Sequence, residues 1–314
     1  MSKKIILIGG LRFSGTTVLD LILGNDEHGF SGGEISSYFR SRRKLNCSCN
    51  EDPCLVWEGI KAGGIRNAYN SIFSRFPEVG FIVDSSKHPL WLSRQNSIAE
   101  GQGYDVRRLL IWKSPIESAS SFYKRGQLDQ WADAWVRYHR LYLSVVKDFS
   151  SISFRHFIED ETAIPQLCEK LEIPFFANKS EYWNKLHHSV GGNGSAKIHL
   201  HDKDSSTYGK ISDFMKNRSS DLDQRYRSIA SATVAPEVLE YVEKCMRERP
   251  EMAAIIEILQ SFDYQGSRPA LTAAEKREMN IPRSSQMIFR KIYSTLRFEL
   301  DNLSSSRRRI VNQE

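Results

Sequence analysis

The sequence has few cysteines, no long apolar run and little net charge. Only five of its 314 residues are cysteine, far below the content of a small secreted domain held by disulfides. No apolar run approaches the roughly 20 residues that a membrane span requires, since the early run at residues 5–8 ends at two glycines. No small-residue cleavage site follows that run, so no secretory signal is predicted. We therefore expect a cytoplasmic protein without a transmembrane segment.

Positive charge is concentrated near the end of the sequence. The formal net charge is +6, and residues 267–314 contain ten Lys and Arg against five Asp and Glu. The remainder is almost neutral, so the basic composition is weak support for nucleic-acid binding. No nucleic-acid partner is expected.

Short apolar segments alternate with helical patterns along most of the chain. We predict strands at residues 4–9, 80–84, 107–112 and 152–157. Such alternation is typical of βαβ units. The predicted fold class is α/β, with a P-loop-type central parallel sheet flanked by helices and a helical C-terminal extension. Residues 1–266 would form the α/β domain, and residues 267–314 the basic helical extension.

The extension carries an apolar stripe at helical spacing between residues 286 and 303. Such a stripe must be covered. Three coverings remain open: the parent domain, a second subunit in a homodimer, or an anionic membrane surface.

The strongest local motif is GLRFSGTT at residues 10–17, which we call the phosphate loop. It has the spacing of a Walker A loop, but Thr16 stands where that loop has lysine. The backbone amides of such a loop and the following helix N-terminus bind phosphate oxygens. The missing lysine makes ATP or GTP hydrolysis improbable.

The segment Ser14-Gly15-Thr16-Thr17 resembles the 5′-phosphosulfate loop of sulfotransferases that use 3′-phosphoadenosine 5′-phosphosulfate (PAPS). That family has a P-loop-kinase-like fold without the nucleoside-triphosphate lysine. It usually has Arg or Lys immediately before the Ser-Gly pair, whereas this chain has Phe13 there and Arg12 one residue earlier. The resemblance implies that these loop residues and Arg12 bind the 5′-phosphate end of PAPS.

Two further segments resemble the 3′-phosphate site of the same family. Lys113 and Ser121 keep the family's spacing of eight residues, with Lys replacing Arg. A loop similar to the family's His-His…Gly-Gly-Asn segment contains Asn193 and precedes Lys197. The resemblance implies that these four residues bind the 3′-phosphate.

The resemblance also implies which residues are catalytic. Asp-Ser-Ser-Lys, ending at Lys87, is similar to a segment of bacterial members, in which the lysine lies close to the sulfuryl group. Glu34 follows a glycine, as in the family's Gly-Glu, and would act as the general base. His88 is the alternative base, because imidazole titrates near neutral pH.

Three cysteines are clustered at positions 47, 49 and 54. Three thiolates would need a fourth ligand to hold zinc, and the cluster contains no CxxC pair. We therefore expect no metal. The cluster, with Trp57, resembles a Cys-x-Cys…Cys-x-x-Trp region of the family.

The matches together span residues 4–197 and imply a sulfotransferase that moves a sulfuryl group from PAPS to a hydroxyl acceptor. The acceptor stays open among glycans, lipids and small molecules. Two alternatives also stay open: a P-loop nucleotide or small-molecule kinase, and a catalytically inactive nucleotide-binding relative.

Overall fold

The structure is a computed structural model and describes residues 2–40, 47–201, 234–265 and 271–279. The chain divides into two compact units, Met1–Ala270 and Leu271–Glu314. In the second unit, α13 (Ala273–Glu278) begins at Thr272, which forms a capping box with Glu275.

Five strands form one parallel sheet in the order β2-β3-β1-β4-β5. They are β1 (Lys4–Gly9), β2 (Gly29–Gly33), β3 (Phe81–Lys87), β4 (Asp105–Trp112) and β5 (Ser150–Ser153). The central strand β1 pairs with β3 on one side and β4 on the other, so that Ile5 lies beside both Ile82 and Val106. The predicted α/β class with a parallel sheet is confirmed.

Helices connect and flank these strands. Those of the first unit are α1 (Thr16–Leu23), α2 (Ile35–Arg40), α3 (Leu55–Ala62), α4 (Ala68–Arg75), α5 (Pro89–Gly101), α6 (Pro115–Tyr123), α7 (Leu128–Val145), α8 (Phe154–Glu159), α9 (Ala163–Leu171), α10 (Gly194–His201), α11 (Pro236–Glu248) and α12 (Glu251–Ser261). Within the described ranges, no helix is both long enough and apolar enough to span a bilayer.

The sheet is covered on both faces. Every residue of β1 is buried, although successive side chains of a strand point to opposite faces. Ile6 and Ile8 belong to an apolar cluster with α1, α8 and α9, while α5 packs against β1, β3 and β4 and also contacts α7. Burial on two faces explains why β1 is a continuous apolar run rather than an alternating one.

The structure differs from the sequence predictions at three segments. β2 was not predicted, because its sequence GFSGG has three glycines and no β-branched residue. The strand predicted at residues 152–157 ends at Ser153, whose hydroxyl accepts a hydrogen bond from the His156 amide at 3.1 Å and begins α8. The Gly-, His- and Lys-rich composition of residues 191–210 predicts a loop, but this segment contains α10.

The predicted apolar stripe at residues 286–303 lies outside the described residues. The domain boundary between residues 266 and 267 therefore stays a prediction. So do the three possible partners of the stripe: the parent domain, a second subunit in a homodimer, or a membrane surface.

Candidate functional site

Candidate groups lie at the carboxyl ends of four neighbouring strands. β2 ends immediately before Glu34, and β3 ends at Lys87. The phosphate loop follows β1, and Lys113 follows β4. The strand order therefore places these groups along one edge of the sheet as Glu34, Lys87, loop and Lys113. Open parallel sheets bind their ligands at this edge.

The phosphate loop contains two residues of left-handed backbone, Phe13 with φ of 72° and Gly15 with φ of 97°. This conformation is costly for a bulky residue, so Phe13 depends on its surroundings. Its ring packs edge-on against Phe122 with centroids 5.4 Å apart, and the Arg125 guanidinium lies 3.9 Å from its centre. A Cβ at Gly15 would come within 2.5 Å of the Phe154 ring. Only glycine fits at that position.

Three hydroxyl side chains of the loop, Ser14, Thr16 and Thr17, are at most 4% exposed. Thr17 Oγ1 accepts a hydrogen bond from the Asn193 amide at 3.0 Å. Ser14 Oγ has no hydrogen-bond partner among the described residues. A buried polar atom without a partner costs about 1–3 kcal/mol, so an anion accepting a hydrogen bond from Ser14 would remove that cost. The loop thus fits the phosphate that the sequence predicts.

Arg12 points to neighbouring helices. Its guanidinium lies 4.5 Å from the centre of the Phe122 ring in α6 and donates to Gln130 Oε1 in α7 at 3.3 Å. The side chain is exposed. These contacts hold the charge at the rim of the loop.

Lys87 and Glu34 form an ion pair. Lys87 Nζ donates to Glu34 Oε1, and each side chain is 21% exposed. The pairing of β1 with β3 shifts register before this point, since Leu7 faces Asp84 but Gly9 faces Lys87. The extra residue in β3 changes the direction of the strand, and Lys87 has φ of 67°. The result is a cation and a carboxylate in contact, both accessible from solvent.

Two buried carboxylates hold the strands that carry this pair. Asp20 of α1 accepts a hydrogen bond from the Gly33 amide at 2.9 Å, and burial raises the pKa of Asp20 to about 7. Asp84 of β3 accepts from Tyr69 at 2.7 Å and from the Trp91 indole at 2.9 Å, and burial raises its pKa as well. Each carboxylate thereby fixes the strand segment next to one member of the ion pair.

Tyr138 of α7 connects the phosphate loop to Lys87. Its hydroxyl accepts a hydrogen bond from the Gly10 amide at 2.5 Å and donates to the Lys87 carbonyl at 2.7 Å. Burial raises the pKa of this phenol, so the hydroxyl keeps its proton. The sequence offered no signal for this role, because Tyr138 has ordinary helical spacing with the buried tryptophans of α7.

Lys113 and Ser121, to which the family resemblance gives one common role, lie in contact. Lys113 Nζ donates to Ser121 Oγ at 3.2 Å and lies 4.3 Å from the centre of the Phe154 ring. Burial lowers the pKa of Lys113 to about 8. Phe154 is the ring that also abuts Gly15, so Lys113 and the phosphate loop lie on the same aromatic side chain.

His88 follows Lys87 and is the N-cap residue of α5. Its Nδ1 atom is buried without a hydrogen-bond partner in the described part of the chain. Burial and the charge of Arg40 lower its pKa to about 4. Glu34, by contrast, is partly exposed and in contact with Lys87, so the geometry favours Glu34 as the base.

Asn193 and Lys197 lie on the Glu34 side of the loop. Asn193 binds Thr17 through its backbone, and Lys197 Nζ donates to the Ser189 carbonyl at 2.7 Å. Burial lowers the pKa of Lys197, and the charges that act on it include those of Glu34 and Lys87. By contrast, the charges that act on Lys113 are those of nearby residues of α6 and the turn after it.

No family model and no curated protein matches the sequence. The chain is similar to two solved sulfotransferase domains. One belongs to the curacin biosynthetic pathway, with a TM-score of 0.46 and 13% identity over 78% of this chain and 97% of that one. The other belongs to the olefin synthase of Synechococcus PCC 7002, with a TM-score of 0.47 and 14% identity over 77% of this chain and 94% of that one. At these scores neither likeness identifies what this chain does.

The Tyr138 contacts predict a specific loss in Tyr138→Phe. Removing the hydroxyl leaves the Gly10 amide unpaired, which should lower the free energy of unfolding by about 1–3 kcal/mol and weaken the binding of a 5′-phosphate ligand such as AMP. Denaturant unfolding and calorimetric titration measure the two effects.

Tyr142→Phe is the matched control, because the Tyr142 hydroxyl is buried in the same helix without a hydrogen-bond partner among the described residues. Its loss should be neutral or stabilising and should leave AMP binding unchanged. Equal effects of the two substitutions would contradict the role of Tyr138.

Proposed function

We propose that this chain is a sulfotransferase that moves the sulfuryl group of PAPS to a hydroxyl acceptor. The proposal is supported by a pair of candidate anion sites that both abut the Phe154 ring. One is the phosphate loop without a Walker lysine, and the other is Lys113 with Ser121 at the end of the adjacent strand. Neighbouring strands are about 4.8 Å apart, so one nucleotide with a 5′- and a 3′-phosphate can reach both.

In this proposal the phosphate loop holds the 5′-phosphosulfate. Its amides and the N-terminus of α1 supply hydrogen-bond donors and partial positive charge. Ser14 donates to an oxygen of the ligand, which gives its buried hydroxyl a partner. A loop that binds a nucleoside triphosphate with Mg²⁺ requires a cationic side chain where this chain has Thr16. The kinase alternative is therefore disfavoured. Arg12 adds charge at the rim.

Lys113 and Ser121 hold the 3′-phosphate. Lysine supplies one positive charge but not the planar two-point contact of arginine. Ser121 is already within hydrogen-bond distance of Lys113, so both groups can turn towards the same oxygen atoms. Selectivity for a 3′-phosphorylated nucleotide follows from these two residues.

Glu34 and Lys87 carry the chemistry. As the acceptor oxygen bonds to sulfur, the bond from sulfur to the 5′-phosphate oxygen breaks and negative charge develops on that oxygen. Lys87 stabilises this charge, and Glu34 takes the proton of the acceptor hydroxyl. Their mutual contact places both groups next to the phosphate loop, where the sulfuryl group would be transferred.

The positions of Asn193 and Lys197 change the role proposed for them. Asn193 binds Thr17 of the phosphate loop, and the charges of Glu34 and Lys87 act on Lys197. We assign Asn193 to the 5′ end of the nucleotide and Lys197 to the transferred group, in place of the 3′-phosphate. The acceptor stays open among hydroxyl groups of glycans, lipids and small molecules.

The 3′-phosphate assignment predicts pH-dependent binding. Lys113 is charged below its pKa of about 8, so the Kd for adenosine 3′,5′-bisphosphate should be nearly constant from about pH 7, where its phosphates are almost fully ionised, up to that pH. Above it the complex must take up a proton, and the Kd should rise by up to about tenfold per pH unit. Lys113→Arg should remove this dependence, because arginine stays charged.

Binding of AMP is the control for that experiment. AMP lacks the 3′-phosphate, so its Kd should be insensitive to this titration and to Ser121→Ala. The same serine substitution should weaken bisphosphate binding by about tenfold or more, the value of a hydrogen bond to a charged group. Equal losses for AMP and the bisphosphate would contradict the assignment.

The catalytic assignment predicts a separation of turnover from binding. Lys87→Ala should lower kcat by about 10²–10³, because its contact strengthens as the leaving oxygen gains charge. Glu34→Gln should lower transfer by about 10²–10⁴ through loss of the base. Both variants should bind adenosine 3′,5′-bisphosphate nearly as well as the unsubstituted chain.

Transfer from labelled PAPS to a panel of hydroxyl acceptors, with calorimetry for binding, measures both quantities. Normal turnover of Glu34→Gln would assign the base to another group. ATP consumption with Mg²⁺ and no use of PAPS would contradict the proposed function.

A further inference from the structure

A second cluster of reactive side chains lies outside the catalytic groups. Cys47, Cys49 and Cys54 converge with His188, and their four ligand atoms all lie within 4.8 Å of one another. Cys47 and Cys54 are buried, and none of the three cysteines forms a disulfide. His188 is 134 residues beyond Cys54 in the chain, so no local spacing shows that it is the fourth donor.

The distances in this cluster match a tetrahedral zinc site. His188 Nδ1 lies 3.8 Å from Cys47 Sγ and 3.5 Å from Cys54 Sγ. Zinc bonds of about 2.3 Å to sulfur and about 2.0–2.1 Å to nitrogen place S and N about 3.6 Å apart across a tetrahedron. The two observed separations therefore leave space for one ion at the centre.

We propose that Cys47, Cys49, Cys54 and His188 bind one Zn²⁺ ion. Three thiolates and one imidazole form a ligand set of structural zinc sites, and soft thiolates disfavour Mg²⁺ and Ca²⁺. Four protein ligands leave no open position for a substrate, so the ion is structural. This inference replaces the expectation of no metal, which depended on the lack of a fourth donor, and it is independent of the proposed function.

Aromatic side chains fix the orientation of the histidine ligand. The His188 ring packs against both Phe30 and Phe76, with centroids 6.4 and 6.2 Å away and interplanar angles of 12° and 29°, and the two phenylalanine rings contact each other with centroids 5.5 Å apart. The Trp57 indole donates to the His188 carbonyl at 2.5 Å. Groups that orient a metal ligand in this way strengthen metal binding. The hydrogen bond to the His188 carbonyl gives Trp57, three residues after Cys54, a structural role.

The cluster joins two segments that meet at the candidate active site. Cys47 forms an isolated antiparallel bridge with Val190. The Val190 carbonyl accepts a hydrogen bond from the Glu34 amide at 2.7 Å. Three residues later, the Asn193 amide donates to Thr17 Oγ1 of the phosphate loop at 3.0 Å. Zinc would therefore hold the segment that positions both the proposed base and the proposed phosphate site.

The first experiment measures the metal content of the purified full chain by elemental mass spectrometry. One zinc per chain is expected. Removal with a chelator followed by titration with Co²⁺ should give one equivalent with the ligand-field absorption of tetrahedral thiolate coordination. Absence of zinc, together with no Co²⁺ spectrum after titration, would overturn the proposal.

Substitutions test the ligand set. Cys54→Ser and His188→Ala should each weaken Zn²⁺ binding by at least about 100-fold, since loss of an orienting group alone costs 10–100-fold. His188→Cys should retain one zinc, because four thiolates also form a structural site. Circular dichroism reports whether each variant folds.

Cys168→Ala and Cys245→Ala are matched controls, since both residues are buried free cysteines outside the cluster. They should keep one zinc per chain. Equal metal loss in controls and ligand variants would overturn the proposal, as would a disulfide within the cluster in the freshly purified chain, detected by mass spectrometry. A fall in melting temperature on metal removal from the unsubstituted chain, reversed by Zn²⁺, is expected if the ion is structural.

Discussion

The parallel pairing of β1 with both β3 and β4 is the constraint on which the candidate site depends. Since all five strands run in one direction, their carboxyl ends meet at one edge of the sheet. The central position of β1 places the phosphate loop between Lys87 on one side and Lys113 on the other. Burial of the sheet on both faces keeps this order fixed. The spacing between charged groups at the edge is therefore set by strand separation rather than by flexible loops.

Polar contacts beneath that edge fix the positions of the side chains that the strand order brings together. Asp20 and Asp84 fix the ends of β2 and β3 through hydrogen bonds in the core. Tyr138 binds the first amide of the phosphate loop and the carbonyl of Lys87 at once, so neither can move without the other. Asp84 and Tyr138 also hold the strained backbone around Lys87, whose φ of 67° would otherwise relax.

The sequence predicted the parts of the site that depend on local pattern. The loop after β1, and the Lys113–Ser121 pair with its spacing of eight, are features of one short segment each. β2 escaped prediction because its glycines are required by neighbours: a Cβ at Gly29 would meet the Phe81 ring at 2.7 Å. This steric requirement arises from a tertiary contact, so the sequence alone does not reveal it. The role of Tyr138 and the meeting of His188 with three distant cysteines are likewise tertiary contacts, which no spacing in the sequence reveals.

The central claim is that two anion sites on neighbouring strands bind one nucleotide. Isothermal titration of the full chain with adenosine 3′,5′-bisphosphate, AMP and ATP, each with and without Mg²⁺, tests it most directly. The account predicts that the bisphosphate binds at least about tenfold more tightly than AMP, the value of one additional charged hydrogen bond, and that Mg²⁺ has no effect. Tighter binding of ATP than of the bisphosphate, with a requirement for Mg²⁺, would contradict it.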